Sequence, residues 1–273
     1  MHITGFHTRS KEQAVFHGDQ GETLGPLGCG HNESKIYTSR DQAGVMGGPG
    51  VYSYVYDAMS AWTVYHFHDT SATAAVRRST SARDYERLRP DGSNLAAFLL
   101  RLRETSKASY ESIRETVQLV APFFDDFKLR PDADDGDTNL ILEWTQKGSD
   151  YPFHPSQLSD GTLRFMCLAT ALLQPDPPST ILLDEPELGM HPYAINVLAG
   201  LLHHAASRTQ VIVSTQSTSL LDSVEVKDVV VVDRADHESK FSRLDDANLK
   251  DWLEEYTLGE LWEKNVIGGR PEA

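Results

Sequence analysis

Three stretches follow one another in the second half of the chain: LSDGTLRFMCLATALLQ (Leu158–Gln174), STILLDEPELGMHP (Ser179–Pro192) and QVIVSTQS (Gln210–Ser217). Ser179 to Leu183 is a short apolar run, entered from a loop with Pro175, Pro177 and Pro178 and closed by Asp184, Glu185 and Pro186. An apolar run of that length with such boundaries suits a strand buried on both faces of a parallel sheet. Its two terminal carboxylates then stand at the edge where open α/β sheets bind ligands. Pro192 opens a helical pattern, YAINVLAGLLHHAAS, with proline well placed in the first turn. Gln210 to Val213 reads as the neighbouring strand, ending in Ser214, Thr215, Gln216 and Ser217. Strand, helix and strand together form a crossover unit expected to be right-handed. Two polar strand ends side by side suit a nucleotide phosphate.

Upstream, Ser159-Asp160-Gly161-Thr162 precedes a long apolar helix expected over Leu163–Leu173. Ser or Asp caps such a helix, and its free N–H groups make an anion site. The order LSDGT, apolar strand ending in DE, ELGMHP, second strand ending in STQS resembles the second half of an ABC-type ATPase. It is similar to the single-chain bacterial AAA-type ATPases related to SMC and RecF proteins, from about Trp62 onward. The fold this resemblance implies is α/β: an ABC-ATPase-like P-loop NTPase core with a parallel sheet and a small helical lobe.

The resemblance also implies roles. LSDGT is the signature, so Leu158, Ser159, Asp160, Gly161 and Thr162 belong to the nucleotide-binding set. ILLDE is Walker B: Asp184 binds nucleotide-linked Mg²⁺ through its water shell, and Glu185 polarises the attacking water. The segment after Glu187 is the D-loop and brings His191 into the nucleotide-binding set. Gln216 stands at the catalytic switch and senses the γ-phosphate. ATP would be sandwiched in a head-to-tail dimer, with Ser159 and Gly161 contacting the phosphate in trans. Two departures stand out: Asp160 and Thr162 replace Gly and Gln of the usual LSGGQ, and Gln216 replaces the usual His.

Composition narrows the class. A chain of 273 residues with 40% hydrophobic and 24% charged residues has the make-up of a globular protein with a substantial core. With 25 basic against 40 acidic residues the net charge is −15, which is not the overall footprint of a nucleic-acid binder. Of the two cysteines, Cys29 and Cys167, the second lies in the apolar signature helix, so no disulfide framework is expected and a reducing compartment is. No apolar run approaches spanning length and MHITGFHTRS lacks a signal-peptide core, so the protein reads as cytoplasmic and not membrane-bound.

Three segments are expected: a loop-rich 1–60, a junction strand and helical lobe over 61–150, and the ATPase core half with a closing element over 151–273. Gly25-Pro-Leu-Gly-Cys-Gly-His-Asn32 resembles a phosphate loop, but His31 and Asn32 stand where Lys and Ser/Thr are needed. No other GxxxxGK[ST] occurs, so the N-terminal Walker A part is expected to be missing, through truncation or as a naturally shortened form. His66, His68 and Asp69 end a strand within Ser60–Thr70 and read as local hydrogen-bonding groups rather than a metal site. Arginines from Arg77 to Arg114, interleaved with acids, read as a solvated, salt-bridged surface. Asn94 and Ser109 start two helices, Asn139–Trp144 is a strand after the acidic loop DADDGD, and DVVVV (Asp228–Val232) is a further buried strand. Trp252, Leu253, Tyr256, Leu258, Leu261 and Trp262 give the tail a packing face.

The expected function is ATP binding and hydrolysis in a homodimer, or in a heterodimer with an intact ATPase subunit, coupled to DNA or to a nuclease or defence partner. The alternatives are a non-hydrolysing regulatory subunit and a fragment supplying only the signature and Walker B half. A serine hydrolase is disfavoured because no GxSxG elbow is present.

Overall fold

The structure, a computed structural model, describes residues 12–18, 21–28, 56, 59–131, 139–235 and 238–269. The chain divides into two units, Met1–Trp62 and Thr63–Ala273. In the first, β1 (Glu12–Gly18) and β2 (Gly21–Gly28) pair antiparallel from Gly18↔Gly21 out to Glu12↔Gly28. Gly25–Gly28, the first half of the glycine-rich motif, therefore lies on a strand; Cys29–Asn32 lie outside the described residues.

After β3 (Trp62–Tyr65) and β4 (Thr80–Ser81) come two helices, α1 (Leu95–Thr105) and α2 (Lys107–Val120). Three short strands follow: β5 (Phe124–Lys128), β6 (Asn139–Leu140) and β7 (Glu143–Gln146). The decisive stretch forms α3 (Asp160–Leu173), β8 (Thr180–Asp184), α4 (Pro192–Ala206), β9 (Gln210–Ser214) and a short α5 (Thr218–Leu221). The chain closes with β10 (Val230–Ala235), β11 (Glu238–Arg243), α6 (Asp246–Leu253) and α7 (Leu258–Glu263).

The core sheet runs β3–β8–β9, and β8 and β9 are parallel from Thr180↔Gln210 to Asp184↔Ser214. Strand, helix and strand thus form the crossover unit expected from the sequence, and the core is α/β with a parallel strand pair. Every residue of α3 from Leu163 to Leu172 is buried, as befits a helix covered on all sides; it packs between α2 and α4. Ile181 and Leu183 of β8 join it in one hydrophobic core, which extends through α1, α2, Phe124, Phe127 and Trp144. In this lobe the Phe124 and Phe127 rings meet edge-on at 4.8 Å, a favoured aromatic geometry.

Four expectations change. The signature helix begins at Asp160 rather than Leu163, because Ser159 Oγ accepts from the Thr162 N–H and draws the motif into the first turn. Asn139–Trp144 splits into β6 and β7 at a tight turn closed by Glu143 N–H to the Ile141 carbonyl, 2.9 Å. The DVVVV strand is not buried: β10 pairs antiparallel with the polar β11, leaving Val230 and Val232 exposed and only Val231 inside. In the tail, Leu258 and Leu261 pack as expected, beside Val226 and Leu249, but Trp252 and Leu253 are exposed. There α7 docks on α5: the Gly259 N–H donates to Asp222 at 2.7 Å, and a Cβ at Gly259 would meet Thr218 at 2.8 Å.

Candidate functional site

The parallel register brings Asp184 and Ser214 side by side at the carboxyl ends of β8 and β9. The Ser214 hydroxyl donates to the Asp184 carboxylate, and the next residue continues the ladder with Glu185 N–H to the Ser214 carbonyl at 2.8 Å. Glu185 is held at φ +36°, a left-handed conformation that a residue with a Cβ adopts at a cost. Strain of that kind concentrates at functional sites. Two residues on, the Thr215 hydroxyl donates to one oxygen of Glu187, while the other oxygen, Oε2, is buried without a hydrogen bond. The turn after β8 and the segment after β9 are thus tied together at two levels. Gln216 is exposed just beyond them.

The signature turn approaches from α3. Ser159 and Asp160 are exposed, and the Ser159 hydroxyl lies 2.8 Å from that of Thr162. Gly161 packs so closely on the turn after β8 that a Cβ there would stand 2.4 Å from the Gly189 carbonyl oxygen. Leu158 is buried in the core, so its side chain serves packing, and its carbonyl accepts from Arg77. His191 is exposed and caps α4, its Nδ1 accepting from the Tyr193 N–H at 3.2 Å.

The end of β3 completes the arrangement. Tyr65 and Phe67 point inward and stack at 5.2 Å, while His66 and His68 alternate outward. His68 Nε2 lies 3.8 Å from Asp184 Oδ2, across a recess also lined by Arg164, Leu168 and Glu185. Arg164 donates from α3 to the carbonyls of Phe67 (2.9 Å), His68 (3.0 Å) and Leu188. Burial pulls its guanidinium below the usual arginine range, yet so basic a group stays charged. Among the described residues no cluster of three or more His, Cys, Asp and Glu is placed to hold a metal. One exposed carboxylate, Asp184, fits a cation that keeps most of its water shell, as Mg²⁺ does.

Asp184, Glu185, Gln216, the signature turn and the turn after β8 therefore converge on one end of the core. Hydroxyls, helix N–H groups and a strand-end acid pair in that setting suit a phosphate chain with a hydrated cation. Sequence reasoning read His68 as a local hydrogen-bonding group and Arg77 as part of a solvated surface, and missed Arg164 and the Thr215–Glu187 bond. For His68 the period-2 alternation was the available signal; the others are tertiary contacts without one. Arg77 departs from the expected solvated arginine surface by being buried. Arg89 with Asp84 and Arg114 with Glu111 do form the surface pairs that the charge pattern suggested.

The SMC head bound to the C-terminal winged-helix domain of ScpA shares the fold: TM-score 0.52, 17% identity, covering 89% of this chain and 69% of that one. The Smc head with an extended coiled coil from Pyrococcus furiosus matches at TM-score 0.44 and 19% identity, covering 60% of this chain and 44% of that one. The SMC head domain from Thermotoga maritima matches at TM-score 0.40 and 14% identity, covering 86% and 74%. No curated protein sequence matches the chain. Among the described residues no helix is long and apolar enough to cross a membrane. Residues 52–222 match the family described as "AAA domain, putative AbiEii toxin, Type IV TA system", and with more than half of its length inside that match, the chain belongs to this AAA family.

Proposed function

We propose that the chain binds and hydrolyses ATP in a head-to-tail dimer, supplying the signature turn to one nucleotide and the Asp184–Glu185 pair to another. The observation that carries this reading is the convergence of Asp184, Glu185 and Gln216 with a capped, phosphate-ready helix N-terminus on one end of a parallel sheet. Asp184 would hold Mg²⁺, which neutralises phosphate charge. Glu185, fixed in its strained backbone by the Ser214 ladder bond, orients a water and takes up its proton. Gln216 offers a neutral amide to the γ-phosphate. Ser159 and the Gly161 N–H bind phosphate oxygens from the opposing subunit. Phosphoryl transfer depends mainly on positioning and charge stabilisation, which this set provides.

The second subunit is another copy or a related chain with a complete phosphate loop. The ATP state is read by a DNA-linked or defence partner in the cytoplasm: the family description names a toxin–antitoxin system, and an SMC head of this fold is bound to ScpA.

Calorimetry with Mg-ATP on the full chain, wild type beside Glu185→Gln, tests the reading. Both should bind with similar affinity, with Glu185→Gln losing turnover by about 10²–10⁴-fold, the usual share of a positioned general base. Equal turnover in the two proteins, or no heat of binding with either, would sink it.

A further inference from the structure

The signature turn carries Asp160 where glycine is usual, placing a carboxylate beside the very N–H groups that would meet a phosphate. The structure gives that carboxylate a partner. Arg77 ends a short 3-10 turn, Ala75–Arg77, and is only 6% exposed. Its Nε donates to the Thr70 carbonyl at 2.9 Å, its Nη1 to the carbonyls of Pro155 and, at 3.4 Å, of Leu158. Its Nη2 donates to the Leu158 carbonyl at 3.3 Å and to Asp160 Oδ1 at 2.8 Å. One guanidinium thus holds Pro155, Leu158 and Asp160, the segment that leads into α3. Lysine, with a compact ammonium instead of a planar fork, cannot serve these acceptors together.

We propose that Arg77 is a positioning residue for phosphate recognition by the signature turn: it fixes the main chain of Pro155–Asp160 and neutralises Asp160. The proposal rests on the ATP reading above. A carboxylate left unpaired here would repel an incoming phosphate and cancel the attraction of the helix N-terminus. Paired with Arg77, it no longer opposes an anion at the first-turn N–H groups that the Ser159 cap does not use. Arg77 also reaches the far end of Phe67–Thr70, while Arg164 grips its near end. His68 in that segment faces Asp184, so the seating of the signature turn is coupled to the strand-end carboxylates.

The test uses the full chain as wild type, Arg77→Met, Asp160→Gly and the double variant, with two readouts. The first is hydrogen exchange over Pro155–Leu163 without nucleotide; the second is Mg-ATP affinity. Arg77→Met should speed exchange in that segment about tenfold or more, with the β8 segment unchanged, and weaken Mg-ATP by a similar factor, as expected for losing charge-assisted hydrogen bonds. In the double variant most of the affinity returns because the repelling carboxylate is gone, while exchange stays fast. A purely architectural arginine would move both readouts together and show no such rescue. Unchanged exchange in Arg77→Met, or no recovery of affinity in the double variant, overturns the proposal. If Arg77→Met does not fold, Arg77→Lys replaces it: fast exchange with affinity held within about threefold supports the proposal, and wild-type exchange overturns it. A wild-type chain that ignores Mg-ATP overturns the ATP reading and the charge role with it, and exchange alone then decides whether Arg77 fixes the turn.

Discussion

Two backbone positions at the strand end and the signature turn are set by close contact rather than by chemistry. Glu185 stands at φ +36°, its N–H bonded to the Ser214 carbonyl and Pro186 following it. Gly161 is the only residue type that fits beside the Gly189 carbonyl, since a Cβ would lie 2.4 Å from that oxygen. Gly161→Ala must push the signature turn away from the turn after β8. We expect it to cost ~1–3 kcal/mol, the range for overpacking a tight contact, read as a shift in denaturant midpoint. Mg-ATP affinity should fall with it, because the displaced N–H groups are those that meet the phosphate. A midpoint within error of wild type would mean the two turns separate freely.

At the scale of elements, the burial pattern of β10 shows how a short apolar run can mislead. Four consecutive valines resemble a central strand, yet Val230 is 41% and Val232 49% exposed while Val231 is 6%. Period-2 alternation governs here, because β10 pairs only with the polar β11 among the described residues. Val232→Thr should change stability by no more than about 0.5 kcal/mol, as surface substitutions do. Val231→Thr, nearly the same shape, should cost ~1–3 kcal/mol by burying a hydroxyl. Equal effects in thermal melts of the two variants would refute the alternation.

For the molecule as a whole, stability should depend on pH through a thiol at the centre of α3. Cys167 is fully buried, and desolvation pushes its thiol from 9.0 up to about 12, outweighing the attraction of Arg164. The unfolded chain therefore loses the thiol proton first. Stability from this group is complete below pH 9 and declines as pH rises from about 9 towards 12. Denaturant titrations of wild type and Cys167→Ala at pH 8 and pH 10.5 should show a larger loss on alkalinisation in the wild type. The same loss in both would exclude Cys167 as the cause. In a Cys29→Ser background, alkylation of the remaining thiol at neutral pH should track global unfolding.

The order of elements from Leu158 to Ser217 was legible because each carries its own local signal: a capping serine, a proline-bounded apolar run, a proline at a helix start. Those signals act over a few residues and depend on period and boundary, which a sequence displays directly. The acid pair at the end of β8 and the polar cluster at the end of β9 were therefore placed correctly from spacing alone. Arg77 beside Asp160, Arg164 across Phe67–Leu188, His68 against Asp184 and Thr215 on Glu187 join residues 24 to 116 positions apart. No local period encodes such pairs; they exist because the β3–β8–β9 order and the packing of α3 bring distant carbonyls and carboxylates within hydrogen-bonding reach. The sequence determined which groups the site contains, and tertiary packing decided which of them touch, because a buried arginine or carboxylate takes whatever partners the surrounding backbone leaves unsatisfied.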